Sequence, residues 1–157
     1  RIPRIVDIEN CIDFQILVNF TCNTEGVRYN YYLARSNEPG SRFYFIPWDY
    51  DMGFYRDHWL RNYLFDRLMA ALPGYRQRLL NRWQELRADI LSEGQLMARI
   101  DALQAELSNG SVERNFERWP PRRAQTHAEA VADLRAWIQN RLRYLDRKIT
   151  EIAEDKS

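Results

Sequence analysis

One run constrains the fold of this chain more than any other: Phe43-Tyr44-Phe45-Ile46-Pro47-Trp48-Asp49-Tyr50-Asp51-Met52-Gly53. Aromatic residues favour strands, and proline is confined to strand ends and edges. The run therefore reads as a buried strand that stops at two carboxylates one residue apart. Upstream, Asn30-Tyr31-Tyr32-Leu33 reads as a second strand opened by an amide. Between them lies Ser36-Asn37-Glu38-Pro39-Gly40-Ser41, strong turn chemistry and long but acceptable for a hairpin loop. The expectation is a β-hairpin over residues 29–34 and 42–48 that carries polar side chains to one cleft.

The remainder reads as helix. Ile8, Cys11, Ile12, Ile16 and Phe20 recur at steps of three and four over residues 6–21. With Phe14, Leu17 and Val18 added, that helix is amphipathic or buried over much of its surface, and Asp7 with Asn10 serves its N-terminus. Asn23-Thr24-Glu25-Gly26 breaks the pattern as a loop. After Gly53 the pattern turns helical and stays so. Leu60, Leu64, Leu68 and Leu72 form one stripe, closed by Pro73-Gly74, and Tyr75, Leu79, Trp83, Leu86 and Ile90 form the next. Ser92 and Gln95 make a capping box for a helix bearing Leu96, Ile100, Leu103 and Leu107, closed by Asn109-Gly110. A short helical turn ends at Trp119-Pro120-Pro121. The last helix starts near Ala124 and carries Val131, Leu134, Ile138, Leu142, Leu145, Ile149 and Ile152. Such stripes read as core, and the charged faces as solvated. The fold class is mainly α with one β-hairpin. Residues 1–157 form a single domain or part-domain, with the hairpin region at about 23–53 and a helical bundle at about 57–153.

Composition excludes several classes. A chain of 157 residues can bury a real core. Its net charge of +1 argues against a dedicated nucleic-acid partner. No run of about 18 apolar residues exists, so no membrane span is expected. Cys11 and Cys22 on one helix stand roughly 16 Å apart by rise per residue, too far for a disulfide, and read as small buried hydrophobes. With only His58 and His127 besides, no zinc cluster assembles. The opening Arg1-Ile2-Pro3 lacks an initiator Met and reads as a processed or cut start.

The candidate chemistry sits at the hairpin. In an extended segment residues i and i+2 point the same way, so Asp49 and Asp51 would face one site. Two close anions repel, and a divalent cation removes the conflict. An exposed pair, or Asp51 capping a following turn, fits the spacing as well. Glu25 and Asn30 lie five apart, the spacing of the base and the metal-binding Asn in a protein-kinase catalytic loop, and Asp49 follows in the order of the second metal ligand. An exposed loop acid and a hairpin amide that satisfies backbone groups fit that spacing too. An EF-hand is excluded, because the twelfth position counted from Asp49 is Leu60.

Asn30-Tyr31-Tyr32-Leu33-Ala34 and Ile46-Pro47-Trp48-Asp49-Tyr50-Asp51 resemble the hallmark of the CotH kinases, named after spore coat protein H. Downstream, Leu72-Pro73-Gly74-Tyr75-Arg76, Ser92, and Trp137, Arg141 and Arg143 before Leu145-Asp146 extend the resemblance over nearly the whole chain. The resemblance implies the C-terminal lobe of an atypical protein-kinase-like fold. It implies Mg²⁺ or Mn²⁺ as cofactor, ATP as co-substrate, and Ser or Thr of a secreted or spore-surface protein as acceptor. Asn30, Asp49 and Asp51 would bind the metal and nucleotide, and Glu25, Asn30 and Asp49 would be catalytic. Glu25 and Ala34 depart from the family's usual Asp and Tyr. The nucleotide-binding lobe, with its phosphate-contacting Lys, would precede this region, and nothing before Val6 supplies it. The chain alone is therefore expected to transfer no phosphate, with the missing lobe as a further partner. Two other readings stand beside this one: a degenerate pseudokinase or surface-interaction module, favoured by Glu25, and a haloacid dehalogenase-type phosphatase, which needs strands alternating with helices.

Overall fold

The computed structural model of the chain describes residues 2–107, 110–120 and 126–155. Helix α1 spans Ile8–Thr21, strands β1 and β2 span Tyr31–Ala34 and Tyr44–Pro47, and α2 spans Tyr63–Ala71. Then follow α3 at Tyr75–Ala88, α4 at Glu93–Glu106, α5 at Ser111–Arg118 and α6 at His127–Glu154. The fold is mainly helical with one antiparallel hairpin. The chain divides into two compact units, one of Arg1–Gln84 with Tyr144–Ser157 and one of Glu85–Arg143.

In the first unit α1 is the centre. Asp7 caps it by accepting from the Asn10 N–H at 3.1 Å, and Cys22 closes it in the left-handed region with φ 48°. Ile8, Cys11, Ile12, Phe14, Ile16, Val18 and Phe20 are all buried, so the helix is enclosed over most of its surface, with Glu9 exposed and Asp13 and Leu17 half-buried along one face. Its buried amides have partners, as burial requires. Gln15 accepts from the Tyr75 hydroxyl at 2.8 Å, and Asn19 donates to the Gln15 carbonyl at 2.9 Å. Both cysteines are buried and free, and burial pushes the Cys11 thiol up to about 11.

The hairpin pairs Tyr31 with Pro47, Tyr32 with Ile46, Leu33 with Phe45 and Ala34 with Tyr44. Phe45 is buried and stacks on Phe14 with centroids 4.5 Å apart, while Tyr31 meets Phe14 edge-on at 5.5 Å. Burial of Phe14 and of Phe45 contributes roughly 1.5–3 kcal/mol each. Asn10 replaces a neighbouring strand for β2: its side chain accepts from the Phe45 N–H at 2.7 Å and donates to the Phe45 carbonyl at 3.2 Å. The expected buried strand is only half right. A two-stranded sheet has one face against α1, and the other leaves Ile46 39% and Trp48 58% exposed.

Three further expectations are corrected. β1 begins at Tyr31, because the Glu25 carbonyl accepts from the N–H groups of Arg28, Tyr29 and Asn30 and holds those residues in turns. Residues 54–62 are not helical. The Phe54 N–H donates to the Thr21 carbonyl, and Leu60 is held at both backbone atoms by the Asn19 side chain, so α2 starts only where Asn62 caps it. Within the second unit Ser92 caps α4 as expected, through the Gln95 N–H, but the α4 stripe is not core: Leu103 and Leu107 are each 43% exposed. Ile90, past the end of α3, is also exposed. Ile138 and Leu142 are buried, and Arg135 pairs with Asp101. Asn109, Pro121 and Ala124, expected at helix ends, lie outside the described residues. Thr126 and Glu129 form a capping box for α6 that sequence reading missed.

In the first unit the C-terminal part of α6 buries Leu145 and Ile149, and Asp146 accepts from the Trp83 indole at 2.8 Å. Among the described residues the one sheet has two antiparallel strands, so the parallel sheet that a haloacid dehalogenase fold needs is absent there. No helix among them is long and apolar enough to cross a membrane.

Candidate functional site

The four acidic and amide side chains singled out from sequence lie in two loops. One joins α1 to β1 and carries Glu25 and Asn30. The other follows β2 and carries Asp49 and Asp51. A residue that sequence reading left as plain loop joins them. Asn23 is fully buried. Its side-chain oxygen accepts from the N–H groups of Glu25 at 3.2 Å and Gly26 at 3.1 Å, and its amide donates to the Asp49 carbonyl at 3.1 Å. The first two bonds are an Asx turn, in which a short amide mimics the backbone of a tight bend. An Asn three residues before a glycine, with a carboxylate between, was the available signal. Gly26 fits against this side chain, since a Cβ there would lie 3.3 Å from the Asn23 amide carbon.

Asn30 makes the second connection. Its amide donates to Glu25 Oε2 at 3.2 Å and to the Asp49 carbonyl at 3.3 Å. Both partners are acceptors only, so the NH₂ end of Asn30 is committed to them and its carbonyl oxygen is the end left for a cation. The Asp49 carbonyl thus receives two amides, and the Trp48 N–H closes the ladder on the Asn30 backbone carbonyl at 3.1 Å.

Asp49 is not extended, as the sequence argument assumed. It sits in the left-handed region with φ 54°, a conformation uncommon outside glycine and best tolerated by Asn and Asp. The two carboxylates are brought together differently, by a turn whose Gly53 N–H donates to the Tyr50 carbonyl at 3.0 Å. The Asp51 charge above all, then partial desolvation, the Asp51 side-chain bond and the Glu25 charge, hold the Asp49 carboxyl above its ordinary 3.8. Both carboxylates are exposed.

The donor set is oxygen only: two carboxylates and an amide oxygen. Such hard ligands suit Mg²⁺ or Mn²⁺ and not the softer, nitrogen- and sulfur-seeking metals. Among the described residues no three Asp, Glu, His or Cys side chains converge closely enough to enclose a metal on their own.

A mainly helical body thus presents carboxylates and an amide from the loops that flank one hairpin. The sequence profile of the family described as CotH kinase protein matches residues 1–145, and the chain belongs to that family. No curated protein matches it.

Proposed function

We propose that the chain supplies the catalytic loop and metal ligands of an ATP-dependent protein kinase acting on Ser or Thr. What supports this best is the bonded constellation itself. Asn30 joins the Glu25 carboxylate to the Asp49 backbone, with Asp51 beside Asp49, in the order that kinase catalytic loops use. In this reading Asp49, Asp51 and the Asn30 oxygen hold Mg²⁺ or Mn²⁺ with ATP. The cation supplies charge neutralisation at the transferring phosphoryl group. Glu25, exposed and oriented by Asn30, accepts the proton of the acceptor hydroxyl. Asn23 fixes the backbone of both loops. Phosphoryl transfer depends on positioning and electrostatics more than on covalent chemistry, so this rigidity is the protein's main contribution.

A second reading, a degenerate family member that binds without catalysis, is favoured by Glu25 itself. A base displaced by about 1 Å costs on the order of 100-fold. The experiment is transfer of label from γ-labelled ATP to a Ser-rich acceptor with Mn²⁺, run with the full-length natural protein and with residues 1–157 alone. Transfer by the full-length protein, lost in Asp49→Ala, supports the kinase reading. Transfer that rises in Glu25→Asp shows that the longer side chain limits an active enzyme. No transfer by either form, with Mn²⁺ binding intact, overturns the kinase reading in favour of the binding module. Residues 1–157 alone are expected to bind Mn²⁺ weakly and to transfer nothing, because the one Lys among the described residues, Lys148, lies on α6 and pairs with Glu151.

A further inference from the structure

Beside Glu25, a cavity of about 490 Å³ opens whose wall includes Glu25, Arg28, Arg56, His58, Trp59 and Arg61. Three guanidinium groups and one carboxylate make it a basic pocket. Arg61 is matched by Asp66, bonded at 3.1 Å. No ion pair to a described residue engages Arg28 or Arg56, and both are exposed. The chain thus gathers unmatched positive charge in one concave place, although its net charge is only +1. Asn30, Asp49 and Asp51 contribute nothing to that wall. Glu25 stands at the boundary, with its Oε2 toward Asn30 and its residue lining the cavity.

From this placement we infer that the cavity receives the acceptor protein and selects segments carrying acidic side chains, carboxylate or phosphate, next to the Ser or Thr. The inference rests on the reading of Glu25 as the base. A hydroxyl that gives its proton to Glu25 must come within about 3 Å of it, and Glu25 lines this cavity while Asn30, Asp49 and Asp51 do not. Arginine forks bind carboxylate and phosphate oxygens in the same bidentate way, so both anions fit. A nucleotide phosphate is the other source of such oxygens. It belongs with the cation at Asp49 and Asp51, outside the arginine wall.

The test uses the full-length protein and fluorescent Ser peptides with Asp/Glu, phosphoserine, Asn/Gln or Lys flanks, read by anisotropy without nucleotide. Acidic and phosphorylated peptides are expected to bind, and more weakly as salt rises. Each arginine that makes a charge-assisted bond accounts for about tenfold in affinity. Arg28→Ala with Arg56→Ala should therefore weaken acidic peptides by about 100-fold, while binding of Mn²⁺ with ATP stays unchanged. Arg28→Glu with Arg56→Glu should turn the preference toward Lys flanks, which loss of folding would not do. Equal binding of neutral peptides, or indifference to the arginine changes, overturns the inference. So does loss of Mn²⁺–ATP binding in the double alanine variant with peptide binding intact, because the cavity is then a nucleotide-phosphate site. Failure of the kinase reading shows elsewhere: Asp49→Ala should abolish Mn²⁺ binding and leave acidic peptides bound.

Discussion

Asn23→Ala is the sharpest test of how the candidate site is built. The wild-type side chain makes three hydrogen bonds in a fully buried position, to the Glu25 N–H, the Gly26 N–H and the Asp49 carbonyl. At about 1 kcal/mol net each they sum to about 3 kcal/mol. Two of the partners keep a second bond after truncation. The Gly26 N–H also reaches the Asn23 backbone carbonyl at 3.1 Å, and the Asp49 carbonyl keeps the Asn30 amide. Only the Glu25 N–H is stranded, so the expected loss is nearer 2 kcal/mol. Urea unfolding followed by tryptophan fluorescence measures it. Mn²⁺ affinity should fall as well, since Asp49 loses the tighter of the two amide bonds that fix its carbonyl. Asn23→Asp keeps both acceptor bonds but turns a carboxylate oxygen toward the Asp49 carbonyl and adds a charge beside Glu25. It should be at least as destabilising at neutral pH and recover on acidification. A change below about 0.5 kcal/mol in Asn23→Ala, with Mn²⁺ affinity intact, would refute the role of Asn23 as the link between the two loops.

Two further outcomes follow from the geometry. The folded-state pKa of Asp49 lies above its ordinary 3.8, so ionised Asp49 disfavours the folded state above that raised value and ceases to do so below 3.8. Asp49→Asn should therefore melt higher than wild type at pH 7 in chelator, with a gap that narrows as the pH falls toward 3.8 and closes under saturating Mg²⁺; a gap that widens on acidification contradicts the assignment. Tyr75→Phe leaves Gln15 Oε1 buried without its 2.8 Å donor and should cost about 1–3 kcal/mol in urea unfolding, with Mn²⁺ affinity unaffected.

Local chemistry was legible in the sequence where one short segment decides it. Asp7 and Ser92 cap the helices their spacing marks, and Pro39-Gly40 turns the hairpin with Gly40 at φ 80°. Glu25 and Asn30, singled out by their spacing, are bonded as side chains. What failed depends on distant partners. Leu60 keeps the four-residue step of a helix, but its backbone is held by Asn19, 41 residues earlier. The i and i+2 argument for the two acids assumed extended backbone, whereas Asp49 is left-handed because its carbonyl is held by two amides from the other loop. Asn23 was missed because a buried Asx turn and an ordinary polar loop share one composition. The α4 stripe has helical periodicity without burial, which periodicity alone cannot distinguish.

The enclosure of α1 governs how this unit can assemble. Its side chains are covered by residues that come later in the chain: Tyr31 and Phe45, Phe54, Leu60, Phe65, Tyr75, and Arg82 on Asp13 at a separation of 69 residues. Few of these contacts are local, and closing such loops before they are rewarded slows folding. A nascent α1 therefore waits, with most of its apolar surface uncovered, until α3 has been made. Chaperone dependence during synthesis should track the emergence of residues near 83, and any boundary cut between 31 and 83 should yield an aggregating fragment rather than a smaller folded one.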